Sequence, residues 1–119
     1  MEIKIDTIPP SYNKYAGRRN CWEYREDKNV WLEGIMYKTK DIVPEEPYDN
    51  ATIHIHYNFN DNRPRDPDNF AGKFILDGLV KAKIIKDDNF KVIDLKLSAS
   101  FGTKQKSTII TITPREEKE

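Results

Sequence analysis

Residues 51–69 decide how this chain folds: Ala51-Thr52-Ile53-His54-Ile55-His56-Tyr57-Asn58-Phe59, then Asn60-Asp61-Asn62-Arg63-Pro64-Arg65, then Asp66-Pro67-Asp68-Asn69. The first nine alternate strictly, with Ile53, Ile55, Tyr57 and Phe59 on one side and Thr52, His54, His56 and Asn58 on the other. That period of two is a strand with one buried face. The next six residues are polar and contain a proline, so they read as a turn. Asp66 before Pro67 has the form of a helix N-cap with proline at the first helical position. The helix it opens is expected to run to about Lys83, burying some combination of Phe70, Phe74, Leu76, Leu79 and Val80.

Working outward, residues 2–8 alternate so that Ile3 and Ile5 share a strand face, and Pro9-Pro10-Ser11 ends it. Cys21, Tyr24, Trp31, Ile35 and Met36 suggest an amphipathic helix from Asn20 to about Lys40, with Trp22, Trp31 and Met36 as core or a dimer face. Residues 41–50, with Pro44 and Pro47, read as a surface loop. On the carboxyl side, residues 90–100 alternate through Val92, Leu95, Leu97 and Ala99. Gly102 to Lys106 makes a turn and Ser107–Thr113 a last strand. The expectation is an α+β domain over residues 1–113: a single mixed sheet of about four strands with two helices packed on it, in the order β-α-β-α-β-β and ending in a hairpin. Residues 114–119 are expected to be a frayed, charged tail.

Composition narrows the function classes. At 119 residues there is room for one domain, and 37% hydrophobic residues supply its core. A single cysteine, Cys21, excludes an internal disulfide and fits a reducing compartment. No apolar run is long enough to span a bilayer, so a cytoplasmic protein is expected. The 20 basic and 20 acidic residues cancel, but they are not evenly spread. Residues 11–40 and 71–86 each carry a net +3, residues 96–106 are basic, and residues 41–50 carry a net −4. A basic stripe on one face can steer a polyanion even on a neutral protein. Solvated alternating faces are the plainer alternative.

The densest polar constellation is Arg63 to Asn69, with Asp87-Asp88 about twenty residues later. A helix of about 16 residues would be roughly 24 Å long, so the two acidic groups meet only if the following strand returns beside the one ending at Phe59. Three converging carboxylates with no thiolate would suit Mg²⁺, which prefers hard oxygen ligands. Such an ion serves phosphodiester hydrolysis, and a nearby lysine would stabilise developing charge. On the residues alone, an N-cap at Asp66 and a turn at Asp87-Asp88 stand as the alternative. His54 and His56, two apart on one strand face, have a spacing that can hold Zn²⁺ as part of a structural metal site, but a hydrogen-bonded sheet face is preferred. Lys14, Arg18 and Arg19, near Tyr15 and Trp22, have the character of phosphate contacts. Arg63 and Arg65 are placed either to clamp phosphate or to lower carboxylate pKa values.

Four segments then resemble one family, the RusA-type Holliday junction resolvases of bacteria and their prophages. Arg65-Asp66-Pro67-Asp68-Asn69 is similar to that family's R-D-x-D-N signature. Leu76 to Ala82 and Asp87-Asp88 resemble its following helix and acidic pair. Pro9-Pro10-Ser11-Tyr12-Asn13-Lys14-Tyr15 looks like its P-P-S-x-N-x-x-Y opening, and Thr111-Ile112-Thr113 like its closing strand. The resemblance spans essentially the whole chain in order. It implies a RusA-like fold and a homodimer that nicks four-way DNA junctions with Mg²⁺, or Mn²⁺ in its place, and no small-molecule cofactor. Asp66, Asp68 and Asp88 are implied as metal-binding carboxylates, with Asn69 and Asp87 secondary. The family's lysine falls four residues after the second aspartate, where this chain has Gly72. Lys73 takes that role if the extra residue is absorbed at the start of the helix. A non-catalytic junction-binding module of the same fold is the rival expectation.

Overall fold

The computed structural model describes residues 1–15 and 22–115. Four strands and two α-helices alternate along the chain: β1 (Glu2–Ile5), α1 (Trp22–Thr39), β2 (Ala51–Asn58), α2 (Lys73–Lys81), β3 (Ile93–Ser100) and β4 (Ser107–Pro114). Short 3₁₀ turns at Tyr12–Lys14 and Pro67–Phe70 precede the two helices. The architecture is α+β with one mixed sheet, as the alternation of periods predicts.

β2 is the strand on which the rest is built. Ala51, Ile53, Ile55 and Tyr57 are buried, while Thr52, His54, His56 and Asn58 are only partly covered. Ile110 and Ile112 of β4 and Ile3 of β1 extend the buried face, and α1 and α2 cover it with Trp31, Ile35, Phe74, Ile75 and Leu79. In α1 the buried stripe is Trp31, Ile35 and Thr39, four residues apart, and the Thr39 hydroxyl donates to the Ile35 carbonyl at 2.8 Å. Of the three residues expected as core or a dimer face, Trp31 is core, while Trp22 and Met36 lie 65% and 46% exposed because that stripe turns them outward. Cys21 lies outside the described residues.

The strand order is β1-β4-β2-β3, which overturns the expected closing hairpin. β4 pairs antiparallel with both β1 and β2, and β3 pairs only with β2, parallel to it. Burial explains the choice. β4 brings two fully buried isoleucines and fills the middle of the sheet, whereas Leu95 and Ala99 of β3 stay exposed, as suits an edge. A parallel pair needs a crossover, and residues 59–92, containing α2, supply it.

Two further expectations are corrected. The single helix expected from Asp66 to Lys83 is divided: Gly72 adopts φ +86°, which ends the 3₁₀ turn and starts α2 afresh at Lys73. Of the tail expected over residues 114–119, Pro114 and Arg115 are instead part of the fold, and residues 116–119 lie outside the described residues. Pro114 closes β4, the Arg115 amide donates to the Asn50 carbonyl at 2.8 Å, and the Arg115 guanidinium pairs with Asp94. Among the described residues, no helix is long and apolar enough to cross a membrane.

Candidate nucleic-acid and metal site

The crossover places the Arg63–Asn69 segment at the end of the sheet where β2 finishes. There the chain turns through Asn60–Pro64, and Asp61 organises it. Its carboxylate accepts from the Arg65 guanidinium at 2.7 and 3.1 Å and from the Arg63 amide at 3.1 Å. The Arg65 bond above all, with the Arg63 amide, holds the Asp61 carboxyl well below the usual carboxylate range. The Arg65 guanidinium also lies 4.1 Å over the Phe59 ring. Arg65 is therefore a clamp on its own turn, and the acid it holds is Asp61, not Asp66. Arg63 is different: its side chain is 79% exposed and reaches Asp61 only at 3.4 Å.

Asp66 and Asp68 flank Pro67 at the 3₁₀ turn. Asp66 stands at the N-cap position with extended backbone and Pro67 opening the turn, as expected, but its side chain makes no capping hydrogen bond. Neither carboxylate is engaged in an ion pair with a described residue. The Asn69 amide donates to the Asp66 carbonyl at 3.1 Å, and the Asn69 side chain lines a cleft with Ser11, Asn13, Arg63 and Asp66.

Lys73, at the first position of α2, has its amide bonded to the Tyr12 hydroxyl at 2.7 Å, which ties the helix start to the Tyr12–Lys14 turn. Its ammonium lies 3.5 Å from Asp77, one helical turn on, and Asp77 is also 3.6 Å from Lys28 of α1. The Asp77 charge first, with a smaller contribution from Asp88, raises the Lys73 pKa. A lysine held protonated in this way stabilises negative charge and is no base near neutrality. Asp77 was missed as a site residue, although its i,i+4 spacing from Lys73 was there to be read.

Asp87 and Asp88 sit in the connection into β3. The Asp87 carboxylate accepts from the Asp88 amide at 2.8 Å and from the Asn89 side chain at 3.0 Å, and the Asp88 amide is the main cause of its lowered pKa. Both acids face a broad groove between α1 and α2, with Asp77, Arg25, Lys28 and Lys81. Because β3 runs parallel to β2, with Ile93 opposite Ala51, the acidic pair enters the sheet where β2 begins, while Asp66 leaves where β2 ends. Lys73 is the residue that shares the field of Asp88 while following the Asp66–Asp68 turn in the chain.

The donors on the turn are oxygens only, a set suited to a hard cation that keeps much of its water. Among the described residues, no three His, Cys, Asp or Glu side chains are grouped closely enough to hold an ion. His54 and His56 are engaged otherwise. His54 Nε2 and His56 Nδ1 share the Ser98 hydroxyl at 2.6 and 2.7 Å, and His56 Nε2 meets Ser100 at 2.9 Å. Lys14 pairs with Asp27 at 2.8 Å, beside the Tyr15 hydroxyl that donates to the same carboxylate. Arg18 and Arg19 lie outside the described residues. Compared with known proteins, the chain matches no family model and no curated protein.

Proposed function

We propose that this chain is a Mg²⁺-dependent endodeoxyribonuclease that acts on four-way DNA junctions, as the resemblance to RusA-type resolvases implies. The observation that carries the reading is the pair of carboxylates Asp66 and Asp68, which make no ion pair with a described residue while the neighbouring Arg65 is committed to Asp61. Among the described residues these acids have no side-chain partner, so they are available to a ligand.

In this reading Asp66 and Asp68 hold the ion, since Mg²⁺ is commonly bound by one or two carboxylates together with substrate phosphates. Asp88, which enters the sheet at the other end of β2, acts through the field it shares with Lys73. Bound there, Mg²⁺ supplies charge neutralisation at the phosphodiester and a more acidic water. The protonated Lys73 offsets negative charge on the scissile phosphate. Asn69 and Asp87 orient the acids beside them. Arg63, exposed at the rim of the Asp66 cleft, is the better placed of the two arginines to meet phosphate. A homodimer acting at a two-fold-symmetric junction would make paired nicks.

The test is a nicking assay on a synthetic four-way junction and on linear duplex, with Mg²⁺ or EDTA. It includes Asp68→Asn and Asp88→Asn. Paired nicks that require Mg²⁺ and disappear in both variants are the expected result. Tight junction binding without nicks under Mg²⁺ or Mn²⁺ would replace the nuclease with a binding module of the same fold.

A further inference from the structure

The far side of the Arg63–Asn69 turn carries a feature that hydrolysis does not use. Phe59, at the end of β2, is stacked by Phe101, with centroids 5.4 Å apart and planes 20° from parallel. Phe70 meets Phe59 edge-on at 5.4 Å, and the Tyr57 hydroxyl donates to the Phe70 carbonyl at 2.8 Å. Phe59 is buried, yet Phe101 remains 43% exposed. Its position is fixed by the turn that follows it. The Gly102 amide donates to the Asp61 carbonyl at 3.0 Å, and the Thr103 amide and hydroxyl both donate to the Phe59 carbonyl at 3.1 Å. Gly102 adopts φ +68° to make those bonds.

Phe59, Phe70, Phe101 and Leu97 line a cleft of about 90 Å³ that also includes Asp66. That is far below the roughly 300–1,000 Å³ of a small-molecule pocket, so it admits one flat ring and little more. Its neighbouring cleft, across Arg65, is lined by Arg63 and Lys106. A pre-ordered aromatic face with cations beside it is the chemistry that binds a single-stranded polynucleotide: rings take bases and cations take phosphates.

We propose that this cleft binds one unstacked nucleobase of a DNA strand, with Phe101 as the stacking surface and Arg63 and Lys106 holding the adjoining phosphates. The proposal rests on the reading of the chain as a DNA-acting protein, and it adds a base-contacting subsite beside the Asp66 turn. An unpaired base at a branch point would be seated there while its backbone passes the carboxylates.

The experiment measures binding of the full chain in EDTA, so that no hydrolysis intervenes, by fluorescence anisotropy. The probes are a labelled twelve-nucleotide oligothymidylate and an abasic strand of the same length. Base stacking on an aromatic side chain should make the wild type bind the thymidylate about 5–100 times more tightly than the abasic strand. Phe101→Leu, which keeps apolar packing on Phe59, should lose that preference, and Phe101→Trp should keep it. Equal affinity of the wild type for the two strands, or no binding of either, overturns the proposal; so does an undiminished preference in Phe101→Leu. Failure is separable from failure of the nuclease reading. Mg²⁺-dependent nicking with no base preference removes the subsite alone, whereas base preference without nicking removes the nuclease alone.

Discussion

Arg65 shows how far a residue's role can depart from the one its neighbours suggest. Beside Asp66 in sequence it reads either as a phosphate clamp or as a partner lowering a carboxylate pKa; it takes the second role, but on Asp61 four residues earlier, and stacks on Phe59. Nothing in the spacing could choose between Asp61 and Asp66 as its partner, because the choice is made by the bend at Asn62–Pro64. The pH consequence has a definite sign. Asp61 has a folded-state pKa depressed below its unfolded value, so its contribution is present above pH 4 and is lost as the pH falls through the folded pKa. Asp61→Asn should therefore lower the melting temperature at pH 7 and narrow the difference between pH 7 and pH 3, as read by circular dichroism. A melting temperature at pH 7 unchanged by the substitution would contradict the clamp. Tyr57 makes a second prediction. Its buried hydroxyl satisfies the Phe70 carbonyl, and Tyr57→Phe leaves that acceptor without its donor, at a cost of about 1–3 kcal/mol in urea unfolding.

The period of two in residues 51–58 was fully legible, because β2 lies in the sheet interior with one face on the core. α1 was legible within two residues at each end, and Trp31 and Ile35 of its buried stripe were among the expected apolar positions; Thr39 was not, because only packing selects it over Met36 as the stripe's continuation. The long helix expected after Asp66 failed at Gly72, and the reason is local. A left-handed residue cannot continue a right-handed helix, and Gly is the residue that enters that region without penalty. Because of this break Asp68 and Lys73 do not share a regular helix, and the extra residue before Lys73 falls where the helix starts. Gly72→Ala should destabilise the protein by about 1–2 kcal/mol from the backbone alone. A Cβ there would also sit 2.5 Å from Ile55 Cδ1, so that side chain must move. The α1–α2 contact offers a cleaner element-scale test. At Gly78 a Cβ would lie 2.8 Å from Ile35 Cδ1 and 3.2 Å from its Cβ. Gly78→Ala should cost about 1–3 kcal/mol by overpacking. Adding Ile35→Val removes the nearer carbon, so a double-mutant cycle should give a favourable coupling between the two changes. Additive losses would place the strain elsewhere.

At the scale of the molecule, the sequence reading reached the element order and the fold class but not the pairing. Whether β4 folds back on β3 or crosses to β2 depends on which strand can be buried on both edges, a comparison between Ile110/Ile112 and Leu95/Ala99 that no local window contains. The same holds for the candidate site. Asp66, Asp68, Lys73 and Asp88 stand out one by one as candidates, while the approach of Lys28 to Asp77 and the commitment of Lys14 to Asp27 depend on how the elements meet. Charge is the property that only the whole molecule expresses. The formal net charge is zero, so bulk attraction to a polyanion vanishes and any DNA affinity must come from cations placed together. The turn after β3 brings Lys106 to the cleft that Arg63 lines, and Lys104 is in that same turn. Lys40 instead lies over the Tyr37 ring, 4.6 Å from its centroid, at the carboxyl end of α1. Each phosphate contact with duplex arms releases counterions and adds about 0.9 to the slope of log affinity against log salt. Lys104→Ala with Lys106→Ala should therefore flatten the salt dependence of junction binding by about 1–2. Lys40→Ala should leave it as it was. A neutral protein whose slope does not respond to the first pair would be gripping DNA by some other face, and the arrangement of strand and phosphate around the Asp66 turn would have to be drawn again from that face.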